Sequence, residues 1–362
     1  KYGDYGIIAV IILDINSDHL FIDTWIMSCR VLKRGVEWFI LNDLAERCKD
    51  LDKPKLIGEY IPTKKNKLVK DHYQSLGFVE DEGKWVLELK DFKALDNNIS
   101  KAEKFLSDYL EYLAKHNKDL DHAIECYLKL IDDMLYETIR FMTSKEYSNS
   151  SFEDVNARIY NNPEVMEYHM QGLLLSQFLW IQHYKILEFF IDQAPRIKKD
   201  VKQYLEVGAG HGIFLNSAID FFPEVETFTA VDISASSIEI AKNFVDNPNI
   251  RFVHSDILKF QEENKFDFVT MGEVLEHVED PIELLKKLKS LLKKDGVAFI
   301  TTPTNAPAID HIYLFRNDKE IKEVIHAAGF EILEEIQVPS EDLKVDEAHE
   351  KGVSVMYGAF LK

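Results

Sequence analysis

Apolar residues change their period along the chain, and each change marks a different kind of segment. Over residues 3–89, stretches rich in β-branched and aromatic side chains at 7–14, 19–28, 55–61 and 85–89 read as strands. Between them, residues 35–49 carry helical spacing, and 67–76 read as a short helix closed by Gly77. These alternations predict a compact α/β unit. From 95 to 143 the period is helical, with Phe105, Leu106, Tyr109, Leu110 and Leu113 followed by Ile124, Leu128, Ile131, Leu135 and Ile139. The polar step at His116, Asn117 and Lys118 predicts a helical hairpin, read first as a packed spacer, with a dimer interface or substrate cap as the functional alternative. Residues 144–154 are polar and mark a boundary.

Beyond it lie two more helical segments, 164–179 and 182–194, and then a regular exchange of strands and helices. The strand candidates are 204–207, 227–231, 250–254, 266–271, 297–301, 331–338 and 354–361. Strands separated by amphipathic helices imply a mostly parallel sheet covered on both faces, and such sheets bind ligands at the carboxyl ends of their strands. The predicted organisation is an α/β unit at 1–94, a helical connector at 95–150, and a second α/β domain at 151–362 that begins with its cap helices.

The length, 362 residues, calls for two or three domains, and 46% hydrophobic with 29% charged residues is an ordinary composition for a chain that folds in water. Formal net charge is -20, which repels phosphate backbones and argues against nucleic acid as partner. Cys29, Cys48 and Cys126 form no Cys-x-x-Cys pair, so neither a disulfide framework nor a zinc site is indicated, and a reducing cytoplasm fits best. The apolar run 7–13 is too short to cross a bilayer and lacks signal-peptide flanks. No membrane partner is expected. Entry into a strand soon after Lys1 suggests a piece of a longer polypeptide, and oligomeric state is left open.

Chemistry concentrates in the second α/β domain. Leu205-Glu206-Val207-Gly208-Ala209-Gly210-His211-Gly212 is a strand running into a glycine turn that opens the helix 213–222. Glycines permit positive φ and close backbone approach there, and the helix N-terminus offers unpaired N–H donors to a polar ligand. The next strand ends in Val231-Asp232-Ile233-Ser234, where a carboxylate can accept ribose hydroxyls, or alternatively cap the following helix. A third ends in His254-Ser255-Asp256-Ile257-Leu258, placing a carboxylate for an exocyclic amine beside an aliphatic surface for a ring. The fourth is followed by Met271-Gly272-Glu273-Val274-Leu275-Glu276-His277-Val278-Glu279-Asp280-Pro281.

With these motifs in order, 203–361 resembles the class I S-adenosylmethionine-dependent methyltransferases. The E-H-V-E-D-P stretch and Thr301-Thr302-Pro303 are similar to the small-molecule O-methyltransferases related to ubiquinone biosynthesis. The resemblance implies a Rossmann-like seven-stranded methyltransferase sheet with a helical cap. It implies S-adenosylmethionine held by Gly208, Gly210 and Gly212, with Glu206 toward its amino acid end, Asp232 and Ile233 at the ribose, Asp256 and Ile257 around the adenine, and Glu273 nearby. For a hydroxyl acceptor, His277 has the pKa range of a base, with a backbone-bonded histidine as the competing reading. Residues 303–316 hold Asp310, His311, Tyr313 and Arg316 among apolar neighbours, which suits a polar, even anionic, acceptor with His311 as a second base. Tyr168 and His169, on the helix before the sheet, are further acceptor candidates beside a plain packing role. A metal held by His277, Asp310 and His311 lacks tight ligand spacing, so no metal is assigned.

The N-terminal unit is similar to the C-terminal part of FkbH-like proteins, which is related to GCN5-type acyltransferases. The likeness rests on 21–37, Phe-Ile-Asp-Thr-Trp through Gly35-Val36-Glu37, and on Gly58-Glu59-Tyr60-Ile61-Pro62-Thr63-Lys64-Lys65-Asn66. Acyltransferases of that type bind the coenzyme A pyrophosphate on an R-x-x-G-x-G turn at a helix N-terminus. Arg30 and Gly35 match it, and Lys33 stands where the first glycine would be. The joint expectation is a methyltransferase acting on oxygen of a small-molecule, sugar or carrier-bound acceptor in a polyketide or surface-polysaccharide type pathway, with an acyl carrier protein as candidate partner. Against it stand a carrier-protein or coenzyme A binding acyl-transfer module with an accessory methyltransferase, and a non-catalytic cofactor-binding scaffold.

Overall fold

The computed structural model describes residues 9–27, 36–63, 66–90, 96–245, 247–263 and 265–362. The chain divides into two compact units, Lys1–Lys104 and Phe105–Lys362. Among the described residues no helix is long and apolar enough to cross a membrane.

In the first unit, β1 (Ala9–Ile15), β2 (Leu20–Met27), β3 (Lys55–Gly58), β4 (Val79–Asp81) and β5 (Lys84–Glu88) form one sheet in the order β1-β2-β3-β5-β4. Only β2 and β3 pair in parallel. Helix α1 (Val36–Asp50) and the single turn α2 (His72–Ser75) close its core around Leu20, Leu41, Leu44, Leu56, Tyr73 and Phe78. The sequence pattern conceals β4, because Val79, Glu80 and Asp81 are all exposed on the sheet edge. Glu82 and Gly83, at φ 49° and 81°, make the tight turn that pairs it with β5. The candidate phosphate turn from Arg30 to Gly35, with Cys29, lies outside the described residues.

Helix α3 (Asp96–Lys115) crosses the division between the units, and α4 (Leu120–Ser144) belongs to the second. Asn117 turns the chain at φ 53°, and the Asp119 carboxylate accepts from the His122 N–H to start α4. The expected hairpin forms, but its buried face differs from the apolar stripe: Ile124, Leu135 and Ile139 are exposed, while Ala123, Cys126 and Leu130 are buried. Close approach decides this. A Cβ on Gly172 would lie 2.9 Å from Leu130 Cβ, so α4 meets α6 closely along its Ala123, Cys126 and Leu130 face and the opposite apolar residues are left outside.

After α5 (Phe152–Val155) and a π-turn at Asn156–Tyr160 come α6 (Pro163–Leu179) and α7 (Ile181–Ile197). Alternation then begins: β6 (Gln203–Val207), α8 (Ile213–Phe221), β7 (Thr227–Asp232), α9 (Ala235–Phe244), β8 (Ile250–His254), β9 (Phe266–Gly272), α10 (Pro281–Leu291), β10 (Leu292–Thr304), α11 (Asp318–Ala327), β11 (Ile332–Pro339), α12 (Val345–Lys351) and β12 (Val355–Leu361). The sheet runs β11-β12-β10-β9-β6-β7-β8, parallel except that β12 is antiparallel to both neighbours. This is a Rossmann-like arrangement, a mostly parallel sheet with helices on both faces and one antiparallel strand. Side-chain alternation sorts its two faces, with Tyr204, Phe268 and Phe299 in one core beside α7 and α8, and Leu205, Val269 and Ile300 in the other beside α10 and α11. Strand order reverses between β6 and β9, so the carboxyl ends of β6, β7, β9 and β10 open on one crevice.

Candidate active site

The crevice begins at the glycine turn. Gly208, Gly210 and Gly212 all hold positive φ, at 65°, 53° and 78°. A Cβ on Gly208 would lie 2.6 Å from Val274 Cγ2, and one on Gly212 2.9 Å from Val245 Cγ2, so backbone passes where a side chain cannot. Asp232, at the end of β7, accepts from Gly210 N at 3.0 Å and from Ser234 N at 2.7 Å. It is not the helix cap. That task falls to Ser234, whose Oγ accepts from Ser237 N and donates to Tyr160 O at 2.9 Å, tying β7 to the π-turn. Burial pushes the Asp232 carboxyl up, and the two backbone donors oppose it.

Glu206 is buried one residue before the end of β6, where Tyr204 Oη and Thr270 Oγ1 donate to its Oε2 at 3.2 and 3.4 Å. Burial raises its pKa to about 8. At the crevice mouth Glu273 adopts φ 52°, held by its N–H to Thr301 O and Oγ1 at 3.1 and 3.0 Å. Burial, then the nearby Glu276, lift its pKa to about 8, and its carboxylate faces His183 Nε2 at 3.9 Å. Asp256 bonds back to Leu258 N at 2.9 Å beside Ile257, which packs on the second core.

A second cluster lies at the ends of β9 and β10. Glu276 is fully buried, and Thr302 Oγ1 donates to its Oε2 at 2.8 Å. The peptide oxygen of Glu276 accepts from Ile312 N and Tyr313 N at 2.7 and 2.9 Å, which fixes the 303–316 loop against this residue. His277 Nδ1 meets the Asp310 carbonyl at 3.1 Å, and His311 Nδ1 meets the Ala306 carbonyl at 2.5 Å. The two rings pack edge to face with centroids 4.9 Å apart. Asp310 Oδ2 lies 3.6 Å from both His169 Nε2 and His277 Nδ1, and Tyr160 Oη donates to it at 3.4 Å. Burial opposes ionisation of Asp310, yet His277, His169 and His311 around it hold its pKa at about 2. Burial likewise lowers His277, but Asp310 and Glu276 outweigh that and raise it. His311 falls to about 3, from burial and the neighbouring His277.

The fold therefore brings His169, His277, Asp310 and His311 together, and Glu206, Gly208, Gly210, Gly212, Asp232 and Glu273 along the same crevice rim. Three sequence candidates face elsewhere. Tyr168 donates to Asp133 on α4 at 2.6 Å, Tyr313 packs against Phe315 in the second core, and the exposed Arg316 reaches Glu146 at 4.0 Å. Sequence reasoning passed over Glu276, Tyr160 and His183. Glu276 sat inside a motif already singled out, with no signal beyond an acid beside a histidine. Tyr160 is placed by a π-turn that no periodicity reveals.

Residues 179–335 match the family model of a methyltransferase domain. The chain is 27% identical over 124 residues to a malonyl-[acyl-carrier protein] O-methyltransferase of Halalkalibacterium halodurans, covering 33% of this chain and 45% of that protein. It is 32% identical over 109 residues to a ubiquinone biosynthesis O-methyltransferase of Glaesserella parasuis, covering 28% and 45%. The chain thus spans less than half the length of these curated relatives. Among solved structures, the N-methyltransferase NodS of Bradyrhizobium japonicum in complex with S-adenosylhomocysteine is 15% identical, with a TM-score of 0.41 over 59% of this chain and 98% of that one. Residues 179–335 are thus similar to methyltransferase domains, whose cofactor is S-adenosylmethionine. The chain's residues fit that cofactor: the glycine cradle that a Cβ would fill, the open N-terminus of α8 and the Asp232 carboxylate stand together at one strand end.

Proposed function

We propose that the chain methylates an oxygen of a small-molecule, sugar or carrier-bound acceptor, with the cofactor on the β6–β7 side of the crevice and the acceptor at the His277–Asp310–His311 cluster. The observation that carries this reading is the joining of the two ends by one element: Tyr160 donates to Asp310 and accepts from Ser234, next to Asp232. Bound there, S-adenosylmethionine supplies an electrophilic methyl group for in-line displacement. The protein's task is then to position, to exclude water, and to take one proton.

In this reading Gly208, Gly210 and Gly212 line the cofactor's chain, Glu206 and Glu273 stand toward its amino acid end, Asp232 with Ile233 receives the ribose, and Asp256 with Ile257 flanks the adenine. With its Nδ1 bonded to a carbonyl, His277 presents Nε2 as the atom that receives the acceptor's proton. Buried and ionised, Asp310 stabilises the imidazolium that forms. His311 stays neutral beside it, and His169 and the 303–312 part of the loop bound the acceptor side. Tyr168 belongs to the cap that carries them.

The malonyl-carrier O-methyltransferase among the similar proteins supports a carrier-bound acceptor. On the same reading the domains are 1–94, an acyltransferase-like unit that docks a carrier, 95–150, a helical connector, and 151–362, the cytoplasmic methyltransferase with its cap. Calorimetric titration with S-adenosylhomocysteine tests it. Micromolar binding lost in Asp232→Ala and Gly210→Arg supports the cofactor site. A folded chain that ignores S-adenosylhomocysteine but binds coenzyme A moves the activity to the N-terminal unit and ends this reading.

A further inference from the structure

Residues 305–317, between β10 and α11, hold no helix or strand, yet Asp310 and His311 on them are buried. Side chains from the segment ahead of α6 fix the backbone of this loop. Tyr147 Oη accepts from Ala306 N at 3.0 Å, and Asn149 Nδ2 donates to the Ile309 and His311 carbonyls at 2.9 and 3.2 Å. Arg158 donates to the Asn149 side-chain oxygen at 2.6 Å and to the Ile309 carbonyl at 3.2 Å. These contacts clamp the loop and nothing more.

Tyr160 does something different. Its Oη donates to Asp310 Oδ2 at 3.4 Å, its ring meets that of His277 edge to face with centroids 6.2 Å apart, and its peptide oxygen accepts from Ser234 Oγ at 2.9 Å. The Ser234 N–H in turn donates to Asp232 at 2.7 Å. A single residue thus links the carboxylate at the end of β7 to the carboxylate of the acceptor cluster. The link is well supported: Ile159 shares a core with Met170 of α6 and Ile240 of α9, and Ile309 and Ile312 of the loop pack against it. Its backbone is the π-turn, a register frequent at functional sites.

We propose that Tyr160 is a positioning residue that makes the acceptor loop answer to cofactor occupancy. The inference rests on the reading of Asp232 as part of the cofactor site. With Asp232 engaged, the end of β7 is restrained, Ser234 carries that restraint to the π-turn, and Tyr160 sets Asp310 beside His277. The entropy of ordering the loop is then lost when the cofactor binds, and an acceptor arriving second meets a loop already ordered. Coupling between two sites is reciprocal, so a bound acceptor also tightens the cofactor.

Amide hydrogen exchange, followed by mass spectrometry on the whole chain with and without saturating S-adenosylhomocysteine, tests this. Two regions are compared: the glycine turn at 208–212, which reports the ligand itself, and the loop at 305–312. In the wild type both should slow, the loop by about fivefold or more. In Tyr160→Phe and in Ser234→Ala the glycine turn should still slow and the loop should not. Asn149→Ala separates coupling from mere support, because its loop should exchange faster in both states and still slow when the ligand is added. A loop that slows as much in Tyr160→Phe and Ser234→Ala as in the wild type overturns the proposal, as does a wild-type loop that does not respond while its glycine turn is protected. If neither region of the wild type responds, the cofactor reading fails and this inference fails with it.

Discussion

Glu206 shows how far a single residue's environment departs from its sequence position. In an unfolded chain its carboxyl titrates at the usual value of 4.5, whereas in the folded core its pKa is about 8. Between those values the folded state holds a proton that the unfolded state has lost. The stability this contributes is complete below about 4.5 and disappears as pH rises through about 8, with a slope of at most ~1.4 kcal/mol per pH unit. Urea denaturation across that range should show the stability of the wild type falling relative to that of the Glu206→Gln variant as pH rises; parallel curves would rule out this assignment. At Gly212, positive φ and a Cβ 2.9 Å from Val245 Cγ2 both oppose a side chain. Gly212→Ala should lower stability by about 1–3 kcal/mol and weaken S-adenosylhomocysteine binding, read by the same denaturation series and by calorimetry. The glycines themselves were legible, because their φ requirement is local. The protonation of Glu206 was not, because burial depends on what β9 places beside it.

Between elements, the decisive contact is α4 against α6. Helix α6 starts firmly, with the Asn162 side chain accepting from Glu164 N and Val165 N ahead of Pro163, so Asn162→Ala should cost about 1 kcal/mol in thermal or urea unfolding. Its middle is closed by Gly172, whose Cβ would press on Leu130. Gly172→Val should therefore destabilise by roughly 1–3 kcal/mol. It should also lower cofactor affinity, because α6 carries Met170 over the glycine turn and His169 to Asp310. Unchanged calorimetric binding in a folded Gly172→Val chain would show that the cap does not act on the crevice. Both helices and the turn at Asn117 could be read from the sequence. The face of α4 that packs inward could not: Ile124, Leu135 and Ile139 are more apolar than Ala123 and Cys126, but the close approach to α6 at Gly172 runs along the Ala123, Cys126 and Leu130 face.

At the scale of the molecule, the two units have separate cores, one around Leu41, Leu56 and Tyr73 and the others on the two faces of the seven-stranded sheet. Scanning calorimetry should resolve two transitions, and S-adenosylhomocysteine should raise only one of them, by the linkage of binding to folding. A single transition that moves as a whole would mean that the units unfold together. Cys48 and Cys126 are buried free thiols whose pKa values burial raises to about 11. They should react with thiol reagents only as their own unit opens, which gives each transition its own label.

The sequence by itself determined the alternation of strands and helices, the glycine turn, and the acidic ends of the second and third strands. These depend on side-chain period and on backbone φ, which a few neighbouring residues set. Only the tertiary structure decided that Glu276, His277, Asp310 and His311 form one buried cluster with His169 and Tyr160, and that Tyr168 and Arg316 turn to α4 and to Glu146. Those partners come from a π-turn, a cap helix, a strand end and a loop. They meet because the sheet order reverses between β6 and β9, and chain spacing carries no record of such a meeting.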